Sequence, residues 1–117
     1  MILSFGYTTK ELLAGKKSVT RRAWKRGYFE QWLKRYRQGH VWASAWDKSP
    51  RIGGKRIGAI KLIEEPYWES LANMPEKDLA AEGGMCATKE EFIERYFDGD
   101  ADQDVVVIRF RFYPERG

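Results

Sequence analysis

The chain has one histidine and one cysteine, His40 and Cys86, among 117 residues. A lone cysteine excludes an internal disulfide, so nothing points to secretion, and the expected compartment is the cytoplasm. A lone histidine excludes any two-histidine metal site and allows a Ser-His-Asp arrangement only through His40 itself, which reads as a structural or exposed residue at the start of a strand. No G-x-S-x-G elbow is present to hold a nucleophile. No apolar run approaches the ~20 residues of a membrane span, so no membrane partner is expected. The first residues, "MILSFGYTTKELL", lack the basic head, apolar middle and small-residue cleavage site of a signal peptide.

Two loops imitate ligand motifs without completing them. "IGGKR" would be a phosphate-binding loop only with glycine in place of Ser49 and Ser or Thr in place of Arg56. The acidic loop Asp98 to Asp104 has Gln103 where a calcium loop needs glycine, and Arg109 where it needs glutamate. It reads as a solvated loop. The sequence therefore implies no metal and no cofactor.

What is present is enough to fold. Apolar residues make up 43% of the chain and aromatic residues 15%, too hydrophobic for a disordered segment. The length suits one domain over residues 1–117. Charge is unevenly spread: residues 1–60 carry 14 Lys and Arg against 3 Asp and Glu, whereas residues 61–117 carry 7 against 14. Such imbalance leaves a positive face that attracts polyanions.

Periodicity gives the elements. Residues 1–5 read as a strand, and "TTKELLAG" as a helix with a Thr8/Glu11 capping box and a Gly15 stop. "KSVTRRAW" reads as extended, with Val19 and Thr20 favouring a strand. "YFEQWLKRYRQG" is a helix with Tyr28, Phe29, Trp32, Leu33 and Tyr36 on one face and Lys34, Arg35 and Arg37 on the other. "HVWASAWD" alternates, placing Trp42, Ser44 and Trp46 opposite Val41, Ala43 and Ala45. After a basic loop come a strand "IGAIKLI" and, beyond the break at Pro66, a short helix over "MPEKDLAAEGG". A helix opened by Thr88 and Glu91 follows, then a closing strand "DVVVIRFRFY". Strands separated by short helices make an α+β domain built on a small sheet or barrel.

The densest chemistry lies in "AGKKSVTRRAW", residues 14–24. Lys16, Lys17, Arg21, Arg22 and the following Lys25 crowd around two hydroxyls and a tryptophan. Together with Arg26, and with Lys55 and Arg56 from the glycine loop, they can neutralise phosphates, while Trp24 either stacks on a base or packs in the core. Trp42 and Trp46 stand ~13 Å apart along their strand and cannot form one sandwich.

"GKKSVTRR" after a helix, "IGAIKLIEEPYWESL", "EKDLAAEGG" and the closing "VVVIRFRF" resemble the ASCH (activating signal cointegrator homology) domain of the PUA-like superfamily, from about Leu3 to Phe112. The Gly15-x-Lys17-x-x-Thr20-x-Arg22 signature and the later Glu82-Gly83 carry the resemblance. It implies a small PUA-like β-barrel with peripheral helices and a cleft lined by Lys17, Thr20, Arg22 and Glu82. It also implies RNA or a modified nucleobase as partner, as for PUA-like domains in general. Small ASCH proteins include an amidohydrolase acting on N4-acetylcytidine, and its catalytic Lys, Thr and Glu correspond to Lys17, Thr20 and Glu82. Relative to those, this chain adds the basic aromatic helix over residues 24–38.

In chemical terms, a threonine hydroxyl becomes nucleophilic when a desolvated lysine removes its proton, and a buried glutamic acid can protonate a leaving amine. The competing reading is a structural Lys17–Glu82 ion pair. In a flat strand Lys17 and Thr20 face opposite ways, so catalysis requires the segment to leave the sheet near Ser18. The expected function is an RNA- or nucleobase-binding domain. The alternative is an amidohydrolase, and a protein-interaction module or a ribonuclease ranks third.

Overall fold

The computed structural model describes residues 1–115; the last two positions of the expected domain, Arg116 and Gly117, lie outside the described residues. The described residues form six strands and four α-helices, in the order β1 (Ile2–Ser4), α1 (Thr9–Leu13), β2 (Val19–Arg22), α2 (Arg26–Arg37), β3 (Trp42–Trp46), β4 (Arg56–Leu62), β5 (Tyr67–Ser70), α3 (Asp78–Ala81), α4 (Lys89–Phe97) and β6 (Asp104–Pro114). The strands form one curled sheet in the order β1-β3-β4-β6-β2, with β5 also paired to β6. Only β1 and β3 run parallel; the other pairs are antiparallel. The domain is thus α+β with a half-barrel sheet.

β6 organises the sheet because four consecutive residues in its first half are apolar. Val105 to Ile108 are fully buried, as expected of a strand covered on both faces. β2 and β5 both pair with this half, whereas β4 pairs with the second half, from Phe110 to Pro114. Val106, Ile108 and Phe110 join the main core with Phe5, Ile60 and Trp32 of α2. Val105 enters a second core with Leu71, Phe92 and Phe97, and this holds α4 against the start of β6.

The helix and strand expectations are met, with two differences. β5 has no counterpart among the strands expected from periodicity. It is four residues long and half-buried throughout, with no alternation to announce it. The Thr8/Glu11 box does not form: Thr8 precedes α1, but its side chain caps nothing. Thr88 does cap α4, accepting from the Glu91 amide at 3.1 Å. α2 ends at Gly39, whose φ of 90° suits a left-handed cap.

β1 and β2, the two ends of the sheet path, do not pair with each other, and this leaves a seam. One side chain crosses it: Arg22 Nη2 donates to the Ser4 carbonyl at 2.7 Å. Elsewhere the curl needs close approach. A Cβ on Gly58 would lie 2.3 Å from the Tyr113 carbonyl oxygen and 2.8 Å from the Phe112 ring. Gly58→Ala is therefore expected to destabilise the fold by ~1–3 kcal/mol through overpacking, seen as a lower urea midpoint. An unchanged midpoint would show that the strands can separate at no cost.

Candidate functional site

A cavity of about 670 Å³ opens at the seam. Its walls come from the end of β1 and the following loop (Ser4 to Thr8), from Lys17 and β2 (Thr20 to Ala23), from Glu82 beyond α3, and from α4. Four residues singled out by the sequence signature, Lys17, Thr20, Arg22 and Glu82, all line it, as does Arg21.

Local structure explains how Lys17 and Thr20 share one cavity despite strand alternation. β2 begins only at Val19, so Lys17 lies before the regular strand. The Ser18 amide donates to the Ala81 carbonyl at 2.7 Å, tying this segment to the end of α3. Glu82 follows directly, and Gly83, with a φ of 132°, turns the chain away. Lys17 is 5% exposed and Glu82 3%. Lys17 Nζ donates to Glu82 Oε1 at 2.7 Å and to the Glu82 carbonyl at 2.9 Å.

Arg21 occupies the centre of a larger network. Its Nε donates to Glu69 of β5 at 2.9 Å, its Nη1 to Glu82 Oε2 at 3.0 Å, and its Nη2 to Asp78 Oδ2 at 2.5 Å. Asp78 and Glu82 stand one helical turn apart on α3 and so share a face. Asp78 also accepts from Arg109 of β6 at 2.8 and 3.1 Å, and Arg109 in turn donates to the Tyr67 hydroxyl.

The shifts in proton affinity follow from these contacts. Burial lowers the Lys17 pKa; Glu82 opposes the fall, while Arg22 and Arg21 add to it. Burial works against the Arg21 charge, yet Glu69, Asp78 and Glu82 outweigh it and raise the pKa. For Asp78, burial raises the carboxyl pKa, but hydrogen bonds from Arg109 and Arg21 prevail and hold it below 3.8.

Arg22 differs from its neighbour. Its Nε donates to Thr20 Oγ1 at 3.1 Å and its Nη2 to the Ser4 carbonyl, while the guanidinium lies 5.1 Å from the Phe5 ring centroid. Among the described residues no carboxylate pairs with it, and burial lowers its pKa. Thr20 Oγ1 thus accepts from Arg22 and makes no hydrogen bond to Lys17 among the described residues.

The remaining basic residues are placed differently. Lys16, Lys25, Arg26, Lys55 and Arg56 are exposed and do not line the cavity; Arg56 pairs with Glu115 at 3.4 Å. Arg21, expected to meet phosphates, has all three guanidinium nitrogens engaged by internal carboxylates and a fully buried side chain. Trp24 is half-buried, packing edge-on to Tyr28 with centroids 4.7 Å apart and against Trp32 at 5.0 Å, outside the cavity lining.

Sequence reading missed the aromatic wall: Tyr7, 89% exposed, stands 6.4 Å from Tyr96 of α4, and Phe92 lies beside them in the lining. Nothing in the local pattern of Tyr7 signals this. The partners of Arg21 were legible in part, because the i, i+4 spacing of Asp78 and Glu82 marks a doubly acidic helix face.

No family model matches the chain, and no curated protein matches it. Among solved structures, it is similar to the crystal structure of protein EF3133 from Enterococcus faecalis, family-model DUF984. The TM-score is 0.55 at 13% sequence identity, covering 90% of this chain and 69% of the other. At that identity the likeness establishes a shared fold.

The network makes two stability predictions. Arg21→Ala leaves Glu69 without its partner and takes one partner each from buried Asp78 and Glu82, and a loss of ~3–5 kcal/mol is expected, read by urea unfolding at neutral pH. Folded Asp78 binds its proton less tightly than unfolded Asp78. Its stabilisation is therefore complete above the ordinary value of 3.8 and is lost as pH falls through the lower folded value. Asp78→Asn should flatten the acid limb of the stability profile; an acid limb as steep as the parent's would remove Asp78 from that role.

Proposed function

We propose that the chain is a PUA-like domain of the ASCH type whose seam cavity receives a nucleobase or nucleoside. The observation that carries this reading is Arg22: a guanidinium without a carboxylate partner, lining a cavity beside the Thr20 hydroxyl and the Lys17–Glu82 pair. A cation held in that setting favours a carbonyl or anionic group on the ligand. Convergent polar groups in a pocket that also presents aromatic rings suit a flat heterocycle with hydrogen-bonding edges. Tyr7, Phe92 and Tyr96 offer ring faces, and stacking on an aromatic contributes ~1–3 kcal/mol per base. The resemblance of the Gly-Lys-Thr-Arg signature to ASCH domains supports the same ligand class. Exposed Lys16, Lys25 and Arg26 are available for phosphates of a longer RNA.

Lys17 and Thr20 favour one further reading, hydrolysis of an N4-acylated cytidine. Burial lowers the Lys17 pKa, and Thr20 Oγ1, although it accepts from Arg22, donates its own hydrogen to no protein acceptor among the described residues. With the Lys17 proton passed to Glu82, the neutral amine can take the Thr20 proton as Oγ1 bonds to the acyl carbon. The carbon–nitrogen bond then breaks while Glu82 protonates the leaving amine. Water cleaves the threonine ester, releasing the acid and restoring the hydroxyl.

Titration calorimetry with cytidine, uridine and N4-acetylcytidine tests the binding reading. Arg22→Gln should weaken the preferred nucleoside at least ~10-fold, the lower end of the range for a charge-assisted hydrogen bond. Absence of binding by all three at millimolar concentration would end it. Hydrolysis is followed separately by the ultraviolet shift of N4-acetylcytidine. Lys17→Ala and Thr20→Val should each abolish turnover. Because the reacting pair holds one proton between Lys17 and Glu82, and the folded lysine loses its proton more readily than a free one, turnover should fall as pH rises, with half of it lost below 10.5. Binding without turnover leaves the domain a reader.

A further inference from the structure

The outer face of the sheet carries a second arrangement, none of whose residues lines the cavity. Register and alternation place six residues of β3, β4 and β6 on this face. Trp42 stands opposite Lys61, and Lys61 opposite Arg111; Ser44 stands opposite Ala59, and Ala59 opposite Tyr113. Trp42 is 50% exposed and Tyr113 43%. Although β4 separates their strands, the rings meet with centroids 5.2 Å apart, because the residue between them, Ala59, is small. Lys61 Nζ lies 5.7 Å from the Trp42 ring centroid. Lys61 and Arg111 are exposed and have no carboxylate partner among the described residues. No acidic residue occupies any of these register positions.

This face holds two exposed rings on a rigid sheet, flanked by two unneutralised cations. Rings on such a surface offer π-faces to unpaired bases, and the cations supply what a phosphate backbone needs. With no carboxylate at these six positions, and with Glu115 beyond Tyr113 paired to Arg56, the patch is complementary to a polyanion. We infer that it binds a single-stranded nucleic acid, with Trp42 and Tyr113 stacking on bases and Lys61 and Arg111 meeting phosphates. The inference stands independently of what fills the cavity.

The test is fluorescence anisotropy of a labelled ten-nucleotide oligouridylate at low salt. Trp42→Ala combined with Tyr113→Ala should weaken binding at least ~10-fold, while Trp42→Phe, which keeps a ring, should stay within about three-fold of the parent. Removing both cations, as Lys61→Ala with Arg111→Ala, should reduce the slope of log affinity against log salt by about 1.4, the value for two phosphates on a single strand. The double ring variant should bind nucleosides in the cavity as the parent does, which separates failure here from failure of the cavity reading. Three results would overturn the inference. One is no binding by the parent protein at low salt, and another is undiminished binding by the folded ring variant. The third is a dimer, by light scattering, that becomes monomeric when the rings are removed, which would make the face a self-association surface.

Discussion

A guanidinium with no exposed surface, that of Arg21, is the constraint on which the arrangement of the site depends. Taking such a charge out of water costs several kcal/mol unless anions surround it, and here three carboxylates do so from β5 and the α3 segment. Those carboxylates are then fixed by their own further partners. Asp78 reaches Arg109 on β6, and Glu82 reaches Lys17 before β2. Four segments distant in sequence are thereby locked around one buried cluster, and Lys17 is held at the cavity wall by an interaction whose origin is structural. The ion-pair reading and the chemical reading of Lys17 are therefore not exclusive. The same pair that holds the fold sets the amine where its pKa falls.

Arg21 and Arg22 show how strand alternation divides labour between adjacent residues of one type. Arg21 turns to the carboxylates of α3 and β5, whereas Arg22 turns to the seam, where it meets Ser4, Thr20 and the Phe5 ring. The first is neutralised within the protein. The second holds the two edges of the sheet together through the Ser4 carbonyl and also donates to the Thr20 hydroxyl of its own strand, neither of which cancels its charge. An unclosed barrel and an unneutralised cation thus occur at the same place. A fully closed sheet would have paired β1 with β2 and left no cavity there.

The elements with strong periodicity were legible in the sequence. Alternation in β3 and the apolar run in β6 gave their faces directly, and Phe29, Trp32, Leu33 and Tyr36 gave the buried side of α2. β5 escaped because four half-buried residues carry no period, and because its place is set by pairing with β6. Thr8 resembled a cap by spacing alone, whereas in the fold it is buried at the cavity wall. Arg21 was misplaced for a different reason. In a run of cations nothing local marks one as buried, since its carboxylates lie 48 to 61 residues away. Trp24 shows the same limit: a tryptophan beside arginines has equal local claims to a base and to Trp32.

The charge imbalance between the two halves of the chain looks different once the pairs are assigned. Lys17 and Arg21 are neutralised by Glu82, Glu69 and Asp78, Arg37 by Glu65, and Arg56 by Glu115. Much of the acidic second half thus lies against the basic first half, as expected when both belong to one domain. Among the described cations without a carboxylate partner, Lys16, Lys25 and Arg26 flank β2 along the sequence, and Lys61 and Arg111 stand on the outer sheet face. Long-range attraction of a polyanion depends on the net charge of +4, which salt screens over ~10 Å. Local contact depends on these few unpaired groups and on the rings beside them. The outer face pairs such cations with exposed aromatic rings, whereas the cavity sets the Arg22 guanidinium, without a carboxylate partner among the described residues, beside an aromatic wall and a hydroxyl. The two proposed sites differ in shape accordingly: an open recess for one ring system, and a flat face for successive bases of a strand.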